Sequence, residues 1–411
     1  MKKTVFIFLI LLISLNILCE ETATVKRDRA IVRNGPGSFF ETIAELSNGT
    51  EFTILKKENG WLRIQADEIT GYVSEKVTEE RKVQSDIFSM MGSQTASLRV
   101  SQHGMSAGVK GFAERFTKKF DGNPNFLETY LAFQMNIQDF SNFRQKTYQN
   151  FDRKKNLDKV DIPPYEGRNF FSFSEEGFGL GIASRISTIG LYENKEMQEY
   201  INQVGNIIVE SSDAFDIQFN FFILDTDKTN AYACPGGIVF VTRGILDNIR
   251  TEAELAFVLA HEIAHVARRH GMIESEKRKH HIKSDDAFAK LDEEIVHDVS
   301  DEETKKTEQE MEALSFEIFE TIFQGRLEAY EEDADYIGMI YATRAGYDSR
   351  QILNLLHRLA QENTESTNEH YTHEQIEKRL ILIEQNFQTI SYPENLFDFR
   401  SRWENKKISF K

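Results

Sequence analysis

The spacing of apolar and polar positions changes rhythm several times along the chain. It opens with Lys2 and Lys3, an almost unbroken apolar run from Val5 to Leu18, and then Glu20 and Glu21. That is the shape of a secretory signal peptide, and the run is too short to span a bilayer comfortably. An uncleaved anchor is one alternative. Lipid attachment at Cys19 is another, although Leu18 stands where such signals carry a small residue. Residues 22–78 then show short apolar or alternating runs, Ala30–Val32, Phe52–Leu55, Trp61–Ile64 and Gly71–Val73. Turn signals separate them at Asn34-Gly35-Pro36-Gly37, Asn48-Gly49 and Asn59-Gly60. Closely spaced short strands predict a small all-β barrel or sandwich.

Further on the period lengthens. Met90 to Gly108 is rich in Ser, Gly and Ala, as linkers are. Phe126, Tyr130, Phe133, Ile137 and Phe140 recur at helical spacing and predict one face of an amphipathic helix. Pro163-Pro164 closes this stretch. The expected organisation is a signal peptide over 1–19, a β domain over 22–78, a helical linker region over 79–166 and a mainly α catalytic domain over 167–411.

The clearest helix signal begins at Thr251, where Thr251 and Glu254 form a capping-box pattern. An apolar run from Leu255 to Ala267 follows, then Arg268, Arg269 and His270 as cations near the helix end, with Gly271 as the expected stop. Within this run sits His261-Glu262-Ile263-Ala264-His265. Residues four apart share a helix face, so both imidazoles can reach one metal ion. Burying three ionisable groups in an apolar helix is costly unless they are used or paired.

Composition narrows the chemistry. The 411 residues carry 49 Lys and Arg against 66 Asp and Glu, a net charge of −17, which argues against a nucleic-acid binder. Two cysteines, Cys19 and Cys234, exclude a disulfide framework and an all-cysteine metal site. Cys234 is expected to be a small buried apolar residue. Nine of the ten histidines lie between His261 and His373.

A catalytic zinc needs a third protein ligand and an open position for water. Candidates lie in the acidic stretch Leu327 to Asp335. Glu331 and Asp335 share a helix face, with Ala334 and Gly338 small enough to let this helix approach the first. Glu331 is the expected ligand, Asp335 an acceptor for a ligand histidine N–H, and Glu328 the competing ligand. Between the two helices, Glu274 to Glu310 reads as a charged surface helix or a lid, with His280, His281 and His297.

These motifs carry two resemblances. Val32 to Gly37, Gly49-Thr50, Gly60 to Ile64 and Gly71 to Val73 resemble bacterial SH3-like domains, which implies tethering, often to cell-wall peptides. The segment from about Glu175 to Arg379 resembles the gluzincin metallopeptidases of family M48, which include the CAAX prenyl proteases and periplasmic quality-control proteases. The matching blocks are Asn230-Ala231-Tyr232-Ala233-Cys234-Pro235-Gly236-Gly237 with its following strand, the H-E-x-x-H helix, and E-x-x-A-D at Glu331, Ala334 and Asp335, which favours Glu331 over Glu328. His373 to Arg379 is similar to the family's H-P-x-x-x-x-R, with Glu374 in place of the proline. In relatives that histidine can occlude the metal and the arginine lies near the cleft.

The resemblance implies a zincin domain with a small antiparallel sheet and one catalytic zinc on His261, His265 and Glu331. Glu262 would activate water, and His373 and Arg379 would form a latch or cleft wall. The strand Ile238-Val239-Phe240, preceded by Gly236-Gly237, would pair with substrate backbone. The expected function is an exported, periplasmic or cell-envelope zinc endopeptidase acting on unfolded or misassembled envelope proteins. The alternatives are a latched protease acting as a chaperone-like binder, and a cell-wall-targeted adaptor led by its SH3-like domain.

Overall fold

The computed structural model describes residues 21–27, 29–79, 107–164, 173–277, 302–362 and 373–408. The apolar leader with Cys19, the Ser/Gly/Ala-rich stretch up to residue 106, and His280, His281 and His297 lie outside the described residues. Among the described residues, no helix is long and apolar enough to cross a membrane.

The N-terminal module is all β, a six-stranded sheet in the order β1-β4-β5-β6-β2-β3. Its strands are β1 (Glu21–Thr24), β2 (Arg29–Arg33), β3 (Thr42–Ser47), β4 (Glu51–Glu58), β5 (Trp61–Ala66) and β6 (Ile69–Ser74). Four of these were legible as apolar runs. β1 and β3 were not, because both lie at the ends of the sheet and are mostly exposed, so neither carries a sustained apolar run. Asn59 and Gly60 both take positive φ (49° and 82°), the geometry of the hairpin turn that Asn-Gly favours. Val32, Phe52, Leu62, Ile64 and Val73 fill the inner core.

Trp61 is buried, and what finishes covering it is the following domain. Phe215 packs edge-on to it with ring centres 6.1 Å apart. Lys76 reaches over the same phenyl ring to Asp216, 2.7 Å away, and Phe39 meets Phe140 at 4.6 Å. The β module is therefore seated on the helical body through its Trp61 side.

That body is mainly helical around a three-stranded sheet. β7 (Asn220–Leu224) pairs in parallel with β9 (Ile238–Thr242), and β8 (Ala231–Cys234) pairs antiparallel with β9. The sheet is thus mixed rather than purely antiparallel. The chain reverses once after β7 and again at Pro235–Gly237, where Gly236 and Gly237 have φ of 79° and 92°, so β9 returns along β7 and inserts between the other two. Phe221, Ile223, Val239 and Val241 face one apolar cluster with the helices Lys195–Val209 and Glu252–Ala267. Phe222, Leu224, Ile238 and Phe240 face a second cluster with Phe116, Phe126 and Phe178. Burial on both faces explains why β7 and β9 read as unbroken apolar runs.

The stretch expected as one amphipathic helix is two, Pro124–Ala132 and Ile137–Thr147. The first ends at Phe133. The second restarts under an Asn136 cap whose side chain accepts from Asp139 N, leaving Ile137 37% exposed. Phe126 packs against Phe222 and Phe240, so this region, expected as linker, contributes to the core.

Candidate metal centre

The first site helix, Glu252–Ala267, is fixed at its N-terminus from both sides. Thr251 caps it by accepting from Glu254 N, and the Glu254 carboxylate accepts from Arg250 N. Glu252 is fully buried and accepts from Tyr200, Tyr347 and Arg402, a charge compensated by hydrogen bonds and by the helix dipole. The helix does not run on to Gly271 as its sequence suggested. It stops at Ala267, Arg269 turns left-handed (φ 55°), and a new helix, His270–Lys277, begins.

The second site helix, Glu328–Arg344, lies directly against the first. Gly338 makes this possible, since a Cβ there would stand 2.9 Å from His261 N. The approach brings three donors together. His261 Nε2 and His265 Nε2 are 3.0 Å apart, and Glu331 Oε2 and Oε1 lie 3.3 and 3.4 Å from them respectively. Metal–ligand bonds of about 2.0–2.1 Å in a tetrahedron separate ligand atoms by roughly 3.3–3.4 Å, so the triangle has the size zinc requires. Two imidazole nitrogens and one carboxylate oxygen are also the donor types zinc takes at catalytic sites.

Electrostatics follows from the packing. Burial opposes ionisation of Glu331, but the adjacent His265 and His261 outweigh it and hold the carboxyl well below its ordinary range. Burial also opposes protonation of His261, yet Asp335 and Glu331 push its imidazole up to about 9 in the metal-free protein. His265 is held well below its usual value by burial first and Arg326 next. Glu262 is buried, its carboxyl is pushed up by burial, and its Oε2 has no hydrogen-bond partner.

The other sequence candidates fall as follows. Asp335 Oδ1 is 2.9 Å from His261 Nδ1, and Arg379 donates to both oxygens of Asp335. Glu328 is turned outward to pair with Lys378 and is not part of the donor cluster. His373 begins the helix His373–Asn386, and its side chain lies outside the described residues. The expectation that Ile238, Val239 and Phe240 pair with substrate is overturned. β9 is the central strand and both its edges are already taken, and Gly236 and Gly237 form its turn. β8 is the edge strand on the site side.

Two residues near the centre were not singled out by sequence. Arg326 donates to the carbonyl of Ala233 on β8 at 2.8 Å. His270, taken as a helix-end cation, is 2% exposed, with its Nδ1 2.9 Å from Nδ1 of His265. Beside His261 and Glu262 a small cavity of about 30 Å³ is walled by Phe257, Val258, Leu355 and Leu359.

Comparison with known proteins now adds the class. Residues 195–386 match the family model described as Peptidase family M48, and residues 28–79 match that described as Bacterial SH3 domain. This segment is thus similar to peptidase family M48, and a segment similar to bacterial SH3 domains lies ahead of it. Among its relatives, the putative beta-barrel assembly-enhancing protease of Vibrio cholerae is 30% identical over 169 residues, covering 40% of this chain and 33% of that protein. The beta-barrel assembly-enhancing protease of Yersinia pestis is 39% identical over 74 residues, covering 18% and 15%. The mitochondrial metalloendopeptidase OMA1 of Schizosaccharomyces pombe is 39% identical over 71 residues, covering 17% and 21%. The chain thus spans a third or less of the length of these relatives.

Proposed function

We propose that the protein is an exported zinc endopeptidase that cleaves unfolded or misassembled proteins of the cell envelope. The observation that carries this is the convergence of His261, His265 and Glu331 at 3.0 to 3.4 Å, with the partnerless Glu262 carboxylate oxygen beside them. The envelope setting rests on the apolar leader of the sequence and on the relatives whose names describe beta-barrel assembly.

In this reading His261, His265 and Glu331 hold zinc, which when bound supplies a Lewis acid for the scissile carbonyl and for water. Glu262 accepts the proton of the attacking water and passes it to the leaving amine. Its raised carboxyl pKa suits both steps, because a base poised closer to neutrality also becomes a competent acid. Asp335 orients His261, and Arg379 keeps Asp335 ionised and in place. The apolar cavity beside Glu262 takes one small apolar side chain of the substrate. An extended substrate aligns along β8, and main-chain pairing of that kind reads backbone rather than sequence, which suits unfolded chains.

A peptide ligand of the SH3-like domain, such as a cell-wall peptide, would have to use a face other than that of Trp61, which Phe215 covers. The test is metal analysis of the purified protein together with casein cleavage. One bound zinc and cleavage abolished by Glu262→Gln are expected. Bound zinc with no cleavage of any unfolded substrate, even in His373→Ala, contradicts it.

A further inference from the structure

Helix geometry alone would not bring His270 to His265. In an unbroken helix a residue five positions on is turned away by about 140°. The break at Arg268 and Arg269 removes that restriction and folds the His270 ring back, so that the two ring centres are 5.0 Å apart and the Nδ1 atoms 2.9 Å apart. His270 is held in this position. It is 2% exposed, its ring lies 4.8 Å from that of Tyr330, and its Nε2 is 3.2 Å from Asp333 Oδ2.

Only one proton arrangement satisfies this chain if His265 gives Nε2 to a metal. The His265 proton must then sit on Nδ1 and be donated outward. His270 must accept it on its own Nδ1, which places the His270 proton on Nε2, pointing at Asp333. Each bond has one donor and one acceptor, and the chain ends on a carboxylate.

Resting on the metal-site reading above, we propose that His270 and Asp333 are positioning residues for His265. They fix its tautomer and ring angle, and Asp333 raises the basicity of the ligand nitrogen through His270. The two ligand histidines are thereby supported differently from one acidic stretch of the second site helix. Asp335 faces His261 directly, whereas Asp333 reaches His265 through an interposed imidazole. This assigns work to alternate acidic residues of Glu331-Glu332-Asp333-Ala334-Asp335 and leaves Glu332 at the surface with Lys378.

The experiment is zinc titration of the metal-stripped protein against a chromophoric chelator, with the visible spectrum of the cobalt(II)-substituted protein as a second readout. The variants are His270→Phe, His270→Gln, Asp333→Ala and, as control, Glu332→Ala. Asp333 has a side chain 42% exposed, so its removal opens no cavity in the core. His270→Phe is expected to weaken zinc binding by about 10- to 100-fold and to shift the cobalt spectrum, and Asp333→Ala by about 10-fold. His270→Gln keeps an acceptor and a donor and should recover most of the loss, while Glu332→Ala should match wild type. Asp333 also lies 4.0 Å from the buried Arg268, so a fall in the melting temperature of metal-free Asp333→Ala reports that pairing, whereas the shift of the cobalt spectrum reports the link to His265. Zinc affinity within twofold of wild type in both His270→Phe and Asp333→Ala would overturn the proposal. Failure of the wild type to bind zinc would instead overturn the metal-site reading beneath it.

Discussion

Oδ1 of Asp335 lies 2.9 Å from Nδ1 of His261, and the same carboxylate is gripped by Arg379 at 2.7 and 2.9 Å. Burial works against the Asp335 charge, and Arg379 with His261 overcomes it, holding the carboxyl below its ordinary range. Arg379→Ala should therefore leave a buried carboxylate short of a counter-charge. The expected cost is about 3–5 kcal/mol of stability in denaturant unfolding. Arg379→Lys keeps the charge but loses the two-pronged grip, and it should fall between the variant and wild type.

The two acidic candidates for the third ligand separate cleanly. Glu331→Gln should abolish stoichiometric zinc retention after dialysis. Glu328→Gln, which removes only an exposed pairing with Lys378, should retain zinc and stay within about 1 kcal/mol of wild-type stability.

The sequence was most legible where periodicity and chemistry coincide. His261 and His265 declare themselves because four residues is one helical turn, and Gly338 marks the close helix crossing. The choice of Glu331 needed the motif as well as the spacing, since Glu328 sits on a neighbouring turn. His270 could not be read because its position depends on a left-handed Arg269, a residue type that rarely adopts that conformation. The sequence does not distinguish β9 from a substrate-binding edge, because an apolar run and glycine placement say nothing about strand order. Arg326 acts across 93 residues of sequence on a backbone carbonyl, a contact with no local signature.

Docking of the β module is open to a single substitution. A Cβ on Gly60 would stand 2.8 Å from the Phe215 ring, and its φ of 82° disfavours any side chain. Gly60→Ala should destabilise the hairpin and loosen the domains together, while Phe215→Ala should loosen only the junction. Limited proteolysis should then release the module faster in both variants, with the module's own melting unchanged in Phe215→Ala. A shift of that module melting in Phe215→Ala would show that Phe215 belongs to the module's own stability.

Cys234 is fully buried, and burial pushes its thiol well above the ordinary value of about 9, with Arg326 opposing weakly. In the folded protein Cys234 should resist thiol reagents at pH 9, while in the unfolded chain it reacts at once. Above pH 9 the unfolded chain loses a proton that the native state keeps, so stability should fall as pH rises. Cys234→Ala should remove that component of the slope in unfolding measurements between pH 8 and 10.

The central claim is that one buried carboxylate turns a metal-binding crossing of two helices into a peptidase. The direct measurement is casein cleavage by wild type and Glu262→Gln, with bound zinc quantified in the same samples. Equal zinc in both proteins and cleavage lowered by at least about 10²-fold in Glu262→Gln is the predicted result, in line with the size of general acid–base contributions. Equal zinc with undiminished cleavage would contradict the account, because the proton would then be moving through a group other than Glu262.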